Sequence, residues 1–139
     1  AHGIVCAFDR GEAFEGNCSA LVTNRSPFYQ DPAGWKQERS APAPGSNLKL
    51  EGCLQTEGVQ GTAYLRLECW GRRPAGAGEA AGEEVMLASA NSIPASGSAS
   101  WRPATVALRV PEGATRVVAA CVLAGRGNAW FDALRLAAW

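Results

Sequence analysis

The sequence predicts an all-β protein, an antiparallel β-sandwich or jelly roll of eight or nine strands. Three observations predict it. Apolar and polar residues alternate with a period of two over residues 48–55 and again over 63–70, as in half-buried strands. Turn residues recur at roughly the 8–12-residue spacing of sandwich and barrel folds. No stretch carries an amphipathic helical period: alanine is abundant, but 16 Gly and 8 Pro interrupt it, and both end helices.

Taken in order, residues 3–8 and 18–23 read as short strands separated by turn residues. Residues 35–39 read as a third, and the Pro/Ala/Gly/Ser stretch 40–47 as a loop. In the next run Leu48, Leu50, Gly52 and Leu54 alternate with Lys49, Glu51, Cys53 and Gln55. After a Gly-bearing turn, Ala63, Leu65, Leu67 and Cys69 alternate with Tyr64, Arg66, Glu68 and Trp70. Two such runs around a short turn predict a hairpin, with Lys49, Glu51 and Gln55 beside the Tyr64–Trp70 row. Residues 71–84 read as a polar loop, 85–90 as a strand and 91–100 as a loop. Strands follow over 105–110, 116–123 and 129–136, the last two joined by a tight turn at 125–128.

Length and composition narrow the function. At 139 residues, 47% apolar and 19% charged, the chain is one globular module spanning residues 1–139. Thirteen basic residues balance thirteen acidic ones, which argues against nucleic acid and anionic membranes as partners. No apolar run is long enough for a helix to span a bilayer. The single histidine is His2, so a Ser or Cys nucleophile lacks an obvious base. Five cysteines fit no zinc spacing and read as small buried hydrophobes, with Cys6–Cys18 the best local disulfide pair. Asn17 and Asn24 head glycosylation patterns. A two-carboxylate hydrolase would need facing acids; Glu51 and Glu68 are the one pair that the hairpin register would bring together.

The five tryptophans are the informative set. A sugar-binding sandwich offers flat aromatic faces to pyranose rings and polar side chains to their hydroxyls. The candidate ligand-binding residues are therefore Trp35, Tyr64 and Trp70 as stacking faces, with Gln37, Glu51, Arg66 and Glu68 as hydrogen-bonding groups. Trp101 and Trp130 flank apolar strands and read as core.

The hairpin sequences LKLEGCLQT (48–56) and GVQGTAYLRL (58–67) resemble the centre of galactose-binding-like jelly-roll carbohydrate-binding modules, the type attached to endoglucanases and xylanases. Trp101, Val106, VPEGA (110–114) and GRGNAWFD (125–132) are similar to the C-terminal half of those modules, and Trp35-Lys-Gln37 to the strand before the hairpin. The resemblance covers residues 16–137. It implies a non-catalytic, secreted or cell-surface accessory domain of a larger protein that binds carbohydrate, and no enzyme. It implies, alternatively, an interaction or sensor domain of the same fold. Members of the family often hold a structural Ca²⁺ with an Asp that matches Asp132 and a Glu from the opening strand. GNCSAL (16–21) fits the family's second strand, so the opening strand is either missing or supplied by residues 3–8.

Overall fold

The computed structural model describes residues 4–9, 19–24, 33–73 and 83–139, and of residues 4–9, 19 and 33 the backbone alone. Seven strands follow one another: β1 (Ile4–Asp9), β2 (Ser19–Asn24), β3 (Ala33–Ser40), β4 (Asn47–Gly71), β5 (Val85–Asn91), β6 (Ala95–Arg109) and β7 (Ala114–Ala138). All pairings are antiparallel, and among the described residues there is no helix.

The two 25-residue strands organise the molecule. β4 and β7 pair from Leu48↔Ala138 through to Gly71↔Ala114, with register shifts around residues 57–60 of β4. Different neighbours flank the two halves of this ribbon. The half holding residues 63–71 and 114–123 carries β5 on one side and β3 on the other. The half holding 47–56 and 129–138 carries β6 on one side and, through Gly127–Phe131, β2 and then β1 on the other. The crease lies where Gly61 pairs with Gly125, at φ +126° and +109°. A Cβ on Gly125 would collide with the Gln60 carbonyl, so only glycine fits this close crossing.

Folded at the crease, the two halves bury one core. Leu48, Leu50 and Leu54 from the first half of β4 cluster with Leu65, Leu67 and Cys69 from the second, and with Val22, Val106, Val117, Cys121, Leu123 and Phe131. Each fully buried leucine contributes about 2 kcal/mol of apolar transfer. The inward positions are even-numbered before the crease and odd-numbered after it, because the irregular residues between shift the pleat. The Trp35 indole N–H on β3 donates to the Leu21 carbonyl on β2 across the layers at 3.3 Å.

The predicted jelly-roll sandwich is therefore the observed fold class, and nine strand segments arise because β4 and β7 each serve both layers. Three expectations are corrected. Residues 48–55 and 63–70 are not a hairpin: both pair with β7, in different layers. Residues 125–128 are not a tight turn but the creased middle of β7, and β6 begins at Ala95, inside the predicted 91–100 loop. The backbone of residues 4–9 lies beside β2, so this segment supplies the strand next to it.

Cys69 and Cys121 are buried free thiols, as the small-hydrophobe reading expects, and Cys53 is half-buried. Burial pushes Cys121 up to about 12. Cys18 and Asn17 lie outside the described residues, as does the side chain of Cys6. Asn24 is 3% exposed and its amide donates to the Gly125 carbonyl at 2.8 Å. A glycan cannot occupy that nitrogen in the folded chain.

Candidate functional site

Past the crease, Leu65, Leu67 and Cys69 are held in the core, so strand alternation turns Tyr64, Arg66, Glu68 and Trp70 outward. The neighbouring strands place small residues beside the first two. Tyr64 stands opposite Val122 and then Gly34; Arg66 stands opposite Ala120 and then Lys36. The resulting open groove has a volume of about 390 Å³. Its floor is Gly34, Ala120 and Val122, one wall is Tyr64, Arg66 and Glu68, and the other is Lys36.

Further along the same face the side chains lock together. The Arg66 Nε donates to Glu68 Oε2 at 2.7 Å, and the Trp70 indole N–H donates to Glu68 Oε1 at 2.9 Å. Arg66 also donates from Nη1 to Asn91 Oδ1 at 2.9 Å. Burial pulls the Glu68 carboxyl upward. The hydrogen bonds from Arg66 and Trp70, with the charges of Arg66 and Lys36, outweigh that pull and hold it below its ordinary value. Arg116, opposite Trp70 on β7, places its guanidinium 4.8 Å from the centre of the Trp70 ring. Glu38 and Glu84 hold that guanidinium through Nη1 and Nε contacts, each of 2.7 Å. The Trp70 indole is thus engaged at its N–H by Glu68 and on one face by a cation. It braces Glu68 and offers no open face on the Arg116 side.

The other sequence candidates lie elsewhere. Trp35 alternates inward on β3, packs against the core and spends its N–H on Leu21. Gln37, two residues on, shares with Trp35 a second cleft between the layers, which adjoins the groove at Lys36, Ala120 and Cys121. Glu51 lies before the crease, where outward means the far side of the molecule, and it pairs loosely with Lys49 at 3.5 Å. Glu51 and Glu68 therefore have the core between them, and the facing-carboxylate pair that the hairpin register placed together does not exist. The expected row of Trp35, Gln37, Glu51, Tyr64, Arg66, Glu68 and Trp70 reduces to its last four members on one face.

Lys36, the glycine, alanine and valine floor and the Arg116 cap escaped the sequence reading. One signal was available. If Trp35 is the apolar, inward residue of its strand, Lys36 must point outward beside Arg66. Trp130 is core at 6% exposure, and Trp101 is half-buried.

Asp132 sits where β7 bulges against β4, between the pairs Glu51↔Arg135 and Cys53↔Asp132. Its Oδ1 accepts the Ala133 N–H at 2.7 Å, and Ala133 holds φ +55°. The carboxylate thereby supports a left-handed backbone position that a non-glycine residue adopts at a cost of about 1 kcal/mol. Among the described residues no three His, Cys, Asp or Glu side chains converge as metal ligands.

No family model and no curated protein matches the sequence. Solved structures do match it in fold. The enzymatically active domain of bacteriophage CBA120 tailspike protein 4 superposes with a TM-score of 0.68 at 11% identity, over 98% of this chain and 18% of that one. A family 16 carbohydrate-binding module gives 0.63 at 12% identity, over 97% of this chain and 86% of the module. A xylan-binding family 22 domain gives 0.57 at 18% identity, over 96% of this chain and 81% of that one. The chain thus has the jelly-roll fold of carbohydrate-binding modules, and it spans less than a fifth of the tailspike chain.

Proposed function

We propose that the chain binds a poly- or oligosaccharide in the groove over β3, β7 and the second half of β4, without cleaving it. It does so as an accessory module of a larger extracellular or cell-surface protein. The observation that carries the reading is the groove itself. A half-exposed Tyr64 stands beside the preorganised Arg66–Glu68 pair, over a floor of residues small enough to admit a ring. Tyr64 supplies the stacking face for the apolar side of a pyranose. Glu68 uses one lone pair of each oxygen on Trp70 and Arg66 and keeps the others for sugar hydroxyls. The shared fold with family 16 and family 22 modules supports the reading, since those proteins bear that description. Trp35, Gln37 and Glu51 have no part in it, because they point elsewhere. With Glu51 and Glu68 on opposite sides, that pair cannot perform two-carboxylate hydrolysis.

Calorimetric titration with soluble xylan, β-glucan, galactan and glucuronoxylan tests the proposal. Saturable binding to at least one of them is expected. Tyr64→Ala should weaken it about tenfold, the loss of one stacked ring. Trp70→Phe, which keeps a ring under Arg116 and drops the N–H to Glu68, should weaken it by less. No binding by any of the four glycans would end the proposal. A structural calcium ion at Asp132 is a separate proposal. It requires oxygens beyond the side chains described, since calcium takes six to eight. Repeating the titration and a thermal melt after chelation decides it: an unchanged melting temperature rules the ion out.

A further inference from the structure

We infer that the groove selects an acidic glycan, one carrying an anionic group on a sugar ring, and that Lys36 is the residue that reads the charge. This rests on the glycan reading of the groove and narrows its ligand class. Lys36, Ala120 and Arg66 form one row across three adjacent strands. Two strand spacings separate the cations by about 10 Å at the backbone, with only an alanine methyl between them.

The two cations are not equivalent. Arg66 is committed: Glu68 neutralises it at 2.7 Å, and Asn91 takes a further N–H. Glu68, in turn, is held ionised by Arg66 and Trp70. The other acid near Lys36 on its own strand face is Glu38, which Arg116 binds at 2.7 Å. Among the described residues no carboxylate lies within ion-pair distance of Lys36, although it is exposed at the groove wall. The charges lining the groove are therefore Lys36, Arg66 and Glu68, one positive charge in excess. A neutral sugar would leave that excess unmatched. A carboxylate or sulfate on a ring seated over Ala120 reaches the ammonium, which as a compact point charge accepts either anion.

The experiment compares glucuronoxylan and polygalacturonate with their carboxyl-reduced forms, and xylan with sulfated xylan, at an ionic strength of roughly 50 mM where surface charge is weakly screened. An anionic form should bind about threefold to fivefold tighter than its neutral counterpart, the effect of one partly exposed ion pair. Which pair shows the difference identifies carboxylate or sulfate as the anion. Lys36→Met should bring the ratio close to one. Glu51→Ala, on the far side of the molecule, should leave the ratio as it is. Equal binding of anionic and neutral forms, or a preference that survives Lys36→Met, overturns the inference and leaves the groove reading intact. Absence of binding to every one of these glycans overturns both.

Discussion

Residues 49–55 and 64–70 of β4 both send every second side chain to the surface, yet they look out on opposite sides of the molecule. After the crease, the outward row is Tyr64, Arg66, Glu68 and Trp70. Two of its members meet within 2.7 Å, and a third braces them. Before the crease, the outward row is Lys49, Glu51, Cys53 and Gln55. It holds an exposed ion pair at 3.5 Å with side chains 39% and 41% exposed. The chemistry of the two rows is similar. What differs is the company: β3 adds Gly34 and Lys36 beside the first row, and Arg116 clamps its far end. Alternation decides which side chains face water. The strands alongside decide whether those side chains make a site.

The comparison depends on the crease, and the largest expected effect comes from removing it. Gly125→Val puts a branched side chain at φ +109°, against the Gln60 carbonyl. Both backbone strain and overlap oppose it, so a loss of about 4 kcal/mol or more is expected. In urea the variant should unfold at a far lower midpoint or fail to fold. Gly58→Ala is the control. Gly58 has φ +59° but open space around it, so only the left-handed strain of about 1 kcal/mol applies. Equal midpoints for the two variants would show that the close crossing at Gly61 and Gly125 is not what sets the two faces apart.

A second test acts on one face only. The Glu68 pKa is lowered in the fold, so its contribution is present above the ordinary carboxylate value of 4.5 and is lost as pH falls through the lowered value. Glu68→Gln should therefore cost stability at pH 7, by about 1 kcal/mol for a hydrogen-bonded charge near solvent. The gap from the parent protein should close as pH drops below 4.5. Urea midpoints of both proteins across pH 3 to 7 give the measurement. A gap that stays constant with pH would mean that the Arg66–Glu68–Trp70 arrangement contributes no ionic stabilisation.

These two tests also mark how far the sequence could be read. The fold class was legible because alternation and turn spacing are local signals, and Leu48, Leu50, Leu54, Leu65 and Leu67 all proved to be core. The outward row from Tyr64 to Trp70 was legible for the same reason. The partner of each strand was not, because a Gly-bearing stretch between two alternating runs describes a hairpin turn and a creased strand equally well. The change in leucine parity, from even to odd positions, is compatible with both. That ambiguity misplaced Glu51. The groove floor was illegible because Ala120, Val122 and Gly34 carry no chemical signal and gain their role from register alone. Trp35 misled for a different reason. An aromatic beside a loop reads as a binding platform, but this one spans the layers and bonds Leu21.

The smallest expected effect is the sharpest form of the comparison. Glu51→Ala removes the carboxylate that local sequence ranks with Glu68, from the other half of the same strand, where side chains alternate in the same way. Its ion pair with Lys49 is exposed and long, and such pairs contribute about 0.5 kcal/mol or less. Its cross-strand neighbours are Thr105 and Arg135, so no buried donor is stranded when the carboxylate goes. The expected outcome is a urea midpoint close to that of the parent protein at pH 7 and unchanged glycan titrations. Glu68→Gln, a gentler change on paper, should alter both. A Glu51→Ala variant that lost binding would place ligand on the Lys49 face, and the groove beside Tyr64 would then be the wrong surface.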